Sequence, residues 1–330
     1  MRPQWSILLF TTLAGAAQGL FIVLFGLEQW APGLWPSAQL AAVAWGVLAL
    51  LAAGLAASVF HLGRPARAWR AASQWRTSWL SREVIVLPAL MAVVGVHALA
   101  LQRGGEPSGL VAASGVLGVA LALALWWCTG MIYACLRMIQ AWATPWTPLA
   151  FASLGAASGA GLAGAWFACG LPAAAAAGAA GSEAAVAAVL GVLAGLAAAL
   201  TVVAAVVKGL WWWRCARLVP RSTLQTALAI GHPVIRQLAM GMTGGSFNTR
   251  EFFHAARPGL LKVLPLAMVL FGVLLPLLAD VAAAAQPGRR AAACLMCAGV
   301  AAQFAGILAE RWLFVAWAQH PQNLYYQRVS

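Results

Sequence analysis

Charge is what this chain has least of. Its 330 residues include only 20 lysines and arginines and 7 aspartates and glutamates, 8% in all, where a soluble domain carries roughly 25%. That deficit excludes an ordinary soluble enzyme. Acid is scarcer than base, and the net charge of +13 with a pI near 11 would suggest nucleic-acid binding in a soluble protein. Here the basic residues are confined to a few loops, the distribution that orients helices across a bilayer, so no nucleic-acid partner is expected. Cysteine is also sparse, at six, and Cys128, Cys135, Cys169 and Cys294 fall in or beside apolar runs. This excludes a disulfide framework. The one close pair, Cys294 and Cys297, supplies half of a four-ligand metal set, so these thiols read as small apolar residues and no metal is expected. Histidine numbers five. Bis-histidine haem ligation needs two that face each other, and the two helix-associated ones, His61 and His97, fall at opposite membrane faces. No haem is expected either.

What is present is apolar length. The chain is 63% hydrophobic with a mean hydropathy of +0.85. Eight apolar segments recur at about 7–28, 38–60, 84–101, 109–133, 149–170, 184–208, 260–281 and 291–314, each long enough to cross a hydrocarbon core of about 30 Å as a helix. The expected fold is an all-α integral membrane protein, a single membrane domain over residues 1–330 with eight transmembrane helices. The first apolar run continues through Leu27, too long for a signal-peptide core, and reads as a membrane helix. Segments five and six, rich in Gly, Ala and Ser, are expected inside the bundle or against each other, because small residues let backbones approach closely. No clear charge falls near the bilayer midplane, which argues against a secondary transporter and against proton pumping.

Counting Lys and Arg by side puts 17 on the side of the N-terminus and 3 (Arg103, Arg289 and Arg290) on the other. By the positive-inside rule both termini and the two large loops, 61–83 and 209–259, are expected to be cytoplasmic, in a bacterial inner membrane. Most of the 17 tryptophans lie near segment ends, including Trp35, Trp126, Trp142 and Trp211. They read as interfacial indoles.

The first large loop carries the densest polar chemistry. Phe60-His61-Leu62-Gly63-Arg64-Pro65 leaves helix two, and Trp75-Arg76-Thr77-Ser78-Trp79-Leu80-Ser81-Arg82-Glu83 enters helix three. His61 and Glu83 therefore share one membrane depth, where ionisable groups are costly unless paired or functional. A histidine beside a carboxylate and arginines suits gripping a quinone carbonyl and moving the accompanying protons. The plainer reading is that His61 ends one helix, Glu83 caps another, and Arg82 pairs with Glu83.

The His61-Leu62-Gly63-Arg64-Pro65 exit, the glutamate 22 residues on and Gln18-Gly19-Leu20-Phe21 in helix one resemble the dimethyl sulfoxide reductase anchor subunits over most of the chain. The resemblance implies an eight-helix subunit without a redox centre. It implies as partners a four-cluster iron–sulfur subunit and a molybdopterin catalytic subunit, besides membrane lipid, and as ligand ubiquinone or menaquinone. It places the quinone at His61 and Glu83, with Arg64, Arg82, Gln18 and Trp79 as further candidates. Within the family, residues 75–83 and 243–254 look more like the anchors of cytoplasmic sulfite-oxidising complexes, which reduce quinone. The dimethyl sulfoxide reductase anchors hold their catalytic partners on the outer face, so the charge count favours the sulfite branch over S-oxide or N-oxide reduction. Docking of the iron–sulfur subunit is expected at Arg67, Arg70 and Arg76 in the first loop and at Arg214, Arg217, Arg250 and His254 in the second, part of which is expected to form a short interfacial helix. A purely structural anchor would need the loops alone.

Overall fold

The computed structural model describes residues 2–60, 62–103, 109–170, 180–236, 256–286 and 289–325. Among these the chain is helical with no strand, and eight helices are long and apolar enough to cross a membrane. They are α1 (Trp5–Trp30), α2 (Ser37–Val59), α3 (Trp79–Gln102), α4 (Gly109–Ala134), α5 (Trp146–Cys169), α6 (Ala180–Ala216), α7 (Pro258–Ala284) and α8 (Arg289–Ala316). A 3-10 stretch, Pro65–Gln74, links α2 to α3. Of the second loop, the described part holds one short helix, Leu224–Leu228.

α1 and α5 form the centre. The reason is small residues at matching heights: Gly15 and Gly19 of α1 lie against Gly155 and Gly159 of α5 so closely that a Cβ on Gly159 would overlap the Gly19 backbone. In lipid, where apolar side chains gain little from leaving the solvent, such close van der Waals contact is what holds helices together. α5 also packs along α6, as its composition suggested. α7 is the outlier, with most of its surface turned outward. It widens into a π-helical turn at Leu270–Leu274, between Pro265 and Pro276, the residue type that lacks the N–H for a helical bond.

At the basic end, an aromatic cluster ties four helices together. Trp142 stacks on Phe314 and donates its indole N–H to the Phe314 carbonyl at 2.9 Å, while Trp211 donates to Ala141 O at 3.0 Å. Tyr133 and Phe151 close the cluster. Trp142, Trp211, Trp126 and Trp35 are thus buried, not interfacial. Their indoles complete the bundle's polar bonding from inside, as Trp126 does toward Gly15 O at 3.3 Å. Trp5, Trp30, Trp69, Trp75, Trp127 and Trp213 do stand exposed.

At the opposite end a second polar knot joins α1, α3 and α4. His97 is fully buried, with Nδ1 2.9 Å from Ser114 Oγ and Nε2 3.1 Å from Glu28 Oε1. The Ser114 hydroxyl also donates to the Leu110 carbonyl at 2.7 Å, which anchors the knot to the backbone of α4.

Candidate functional site

The α3 helix begins because Ser78 caps it, its hydroxyl accepting the Ser81 N–H at 3.3 Å. Glu83 is therefore not the cap. It lies one turn inside, about 6 Å from the helix start, and is buried, 6% exposed. Its partner comes from α4: the Thr129 hydroxyl donates to Glu83 Oε1. Arg82 turns away from Glu83. Its guanidinium donates to the carbonyls of Trp75 and Arg76, both at 2.9 Å, and lies 4.1 Å over the Trp79 ring. The Arg82–Glu83 pairing read from adjacency gives way because backbone carbonyls of the preceding turn are nearer and better directed.

Thr129 joins Glu83 to a second element. With Gln18, Thr11, Gly15, Trp126 and Phe151 it lines a small cavity enclosing about 230 Å³. Gln18, halfway along α1, is 2% exposed and its Oε1 has no hydrogen-bond partner. A buried amide oxygen left open is a costly arrangement unless something comes to donate to it. The fold thus brings Gln18 and Thr129, the partner of Glu83, to one cavity, which Glu83 reaches only through Thr129. It adds Thr129 and Trp126, which the sequence reading missed. The available signal was a lone threonine in an apolar helix, next to the tryptophan pair toward its basic-side end.

The remaining candidates fall around this core. Arg64, Arg67, Arg70 and Arg76 are exposed along the 3-10 stretch and its exit, with Arg70 and Arg76 over the rings of Trp69 and Trp75. Arg217 is exposed and stacks on Trp213 at 4.3 Å. Arg214 is held inside: α6 runs on to Ala216, beyond the end at 208 expected from hydropathy, and Arg214 donates to Gln140 O at 2.9 Å and toward Ala143 O at 3.5 Å. His61, Arg250 and His254 lie outside the described residues.

A second set of buried charges was not foreseen at all. Lys208 of α6 meets Glu310 of α8 at 2.5 Å, and Arg311 lies 3.4 Å from the other Glu310 oxygen, all three nearly without exposure. Lys208, counted from sequence as a loop cation, is two turns inside its helix. Burial near the helix ends is possible because Lys208 and Glu310 pair across 102 residues of chain, a pairing invisible to local patterning. Arg311 stacks 3.7 Å over Phe151, whose ring also lines the Gln18 cavity. Tyr133, one turn beyond Thr129, lies within electrostatic range of both Glu83 and Arg311. The two polar groups are neighbours across one aromatic wall.

These features describe a multi-pass membrane protein with Glu83 and the Lys208–Glu310 pair buried toward its basic end and the His97–Glu28 pair buried toward the other. A family model for the DMSO reductase anchor subunit (DmsC) matches residues 1–315, and the chain belongs to that family. It is 43% identical to the C subunit of the Allochromatium vinosum sulfite dehydrogenase over a 360-position alignment covering 100% of both proteins. With the C component of the anaerobic dimethyl sulfoxide reductase of Escherichia coli it shares 27% identity over 150 residues, 45% of this protein and 52% of that one. The protein is thus a membrane anchor subunit, made to work with separate catalytic molybdoenzyme subunits.

Proposed function

We propose that this subunit passes electrons between an iron–sulfur partner and membrane quinone, reducing quinone while the catalytic partner oxidises sulfite to sulfate. The observation that carries the reading is Glu83: a carboxylate buried one turn inside the membrane end of α3 and bonded to Thr129, which itself lines a cavity with Gln18. Full-length similarity to the membrane-family subunit of a sulfite dehydrogenase supports the substrate of the partner. The overall balance is sulfite, water and quinone giving sulfate and quinol. Quinone, whether ubiquinone or menaquinone, is a substrate, and this chain's task is to place it and to deliver protons.

The residues divide that task by chemistry. Glu83 passes a proton to a quinone oxygen and is resupplied from the basic end. The Thr129 hydroxyl holds the carboxyl group in one orientation. The open Gln18 Oε1 accepts the hydroxyl that the product quinol acquires, and Trp126 walls the cavity from water. His61, placed at the end of α2 by sequence, holds the other quinone oxygen, with Arg64, Arg82 and Trp79 at the mouth. The exposed arginines at 64–76 and Arg217, with Arg250 and His254, receive the iron–sulfur subunit. The charge count sets this end, and both termini, in the cytoplasm of a bacterial inner membrane.

Glu83→Gln in the assembled complex tests the reading. Quinone-coupled sulfite oxidation should fall about 100-fold, the lower range for losing a general acid or base. Dye-linked activity of the catalytic subunits should be unchanged. Retention of quinone-coupled turnover would sink the site. The Escherichia coli relative favours a second reading, S-oxide reduction with quinol as donor. Quinol-dependent dimethyl sulfoxide reduction without sulfite-dependent quinone reduction would establish it instead.

A further inference from the structure

Another cavity, with about 660 Å³ of space that is partly open to the surroundings, lies between α5, α6, α7 and α8. Its lining is apolar over most of its length: Leu154 and Ala157 of α5, Ala204 of α6, Met268 and Val273 of α7, and Ile307 of α8. The π-helical turn of α7 forms one side, with Gly272 packed against Gly306. At the end toward the basic face the wall changes character. Lys208, Glu310 and Trp212 line it there, and Arg311 follows Glu310 directly.

We propose that this cavity holds an anionic phospholipid, its phosphate against Lys208 and Trp212 and an acyl tail along the apolar wall. Three observations converge on that ligand. The first is charge: two cations and one carboxylate leave a buried net charge of one positive unit, which an uncharged ligand would not compensate. Glu310 also faces the cavity, but its charge is matched by Lys208 at 2.5 Å and approached by Arg311 at 3.4 Å. The second is unmet donors. The Trp212 indole N–H in the wall has no acceptor, and Lys208 Nζ, with three N–H groups, meets one carboxylate and the face of Trp211 at 3.7 Å, while Arg311, behind the wall, has an Nε without an acceptor. A phosphate with its several acceptor oxygens answers both deficits at once.

The third is depth. Lys208 and Glu310 lie about two turns inside the ends of α6 and α8, and one to two turns from the exposed Trp213, an indole of the kind that meets lipid headgroups. Basic pockets between helices at that height are suited to anionic headgroups. Glu83 and Gln18 take no part in this cavity, and the lipid site stands whatever the fate of the quinone reading.

The test is native mass spectrometry of the purified, delipidated complex with added phosphatidylglycerol or phosphatidylethanolamine. The wild-type complex should retain phosphatidylglycerol at least tenfold over phosphatidylethanolamine, and Lys208→Gln should abolish that preference. Should Lys208→Gln fail to assemble, Trp212→Phe keeps an aromatic ring while removing the indole N–H donor, and retention should fall about threefold. Equal retention of the two lipids, or retention untouched by the variants, overturns the site. So does displacement of the bound lipid by equimolar decylubiquinone, which would make the cavity a quinone pocket.

Discussion

Glu83, Thr129 and Gln18 show how a membrane interior accommodates polar side chains. Each is placed where a second helix supplies a partner or a cavity, since an unsatisfied polar group away from water costs more than the bond it would make. Thr129→Val removes the one hydroxyl that orients the Glu83 carboxyl. Interhelical hydrogen bonds in membranes are worth about 0.6 kcal/mol on average, so the thermal stability of the variant should change little. Quinone-coupled turnover should fall about tenfold while dye-linked turnover holds, and steady-state assays of both would separate the two effects. Equal losses in both assays would mark Thr129 as structural only. Glu83 was legible in the sequence because a carboxylate stood alone beside an apolar run. Thr129 was not, because a threonine in a membrane helix ordinarily bonds its own backbone, as Thr12 does to Leu8 O at 2.8 Å, and only the fold shows that this one turns to α3.

Helices pair here by what they leave out. The α1–α5 seam is a run of glycines, and its contact is backbone on backbone. Gly159→Val would drive a side chain into the Gly19 backbone, and neither helix can yield because α1 and α5 are the most enclosed elements of the bundle. The expected outcome is loss of the folded subunit from membranes. A monodisperse gel-filtration profile with unchanged melting temperature would contradict it. The Gly, Ala and Ser content of α5 announced a close-packed helix. That α5 would also meet α1 backbone on backbone was not readable, because glycines at matching heights lie some 140 residues apart along the chain.

At the scale of the whole molecule, most basic residues fall at one end together with Glu83 and the Lys208–Glu310 pair, the end that the proposed function gives to the partner subunits. The exposed, aromatic-backed arginines of residues 64–76 form its most prominent basic surface. Orientation is testable with a single cysteine at Ser73, exposed on that surface, in a cysteine-free background. An impermeant maleimide should label it only after cells are opened. Labelling of intact cells would reverse the topology and move the catalytic partners to the outer face, as in S-oxide reduction. The aromatic cluster of Trp142, Trp211, Phe151 and Phe314 gives this end its rigidity and separates the Glu83 group from the Lys208 group.

Composition alone determined that this chain spans a membrane, how many times, and which face is basic. Those properties follow from the cost of burying charge and from the length of an apolar run, both local and additive. The helix ends at Ser78 and Ala216 needed the structure, because a capping hydroxyl and an inward-packing Trp211 extend helices beyond what hydropathy marks. The pairings needed it most. Lys208 with Glu310, His97 with Glu28, and Glu83 with Thr129 join residues far apart in sequence. Each member looks like an isolated liability in its own helix, and only packing turns the liability into a bond.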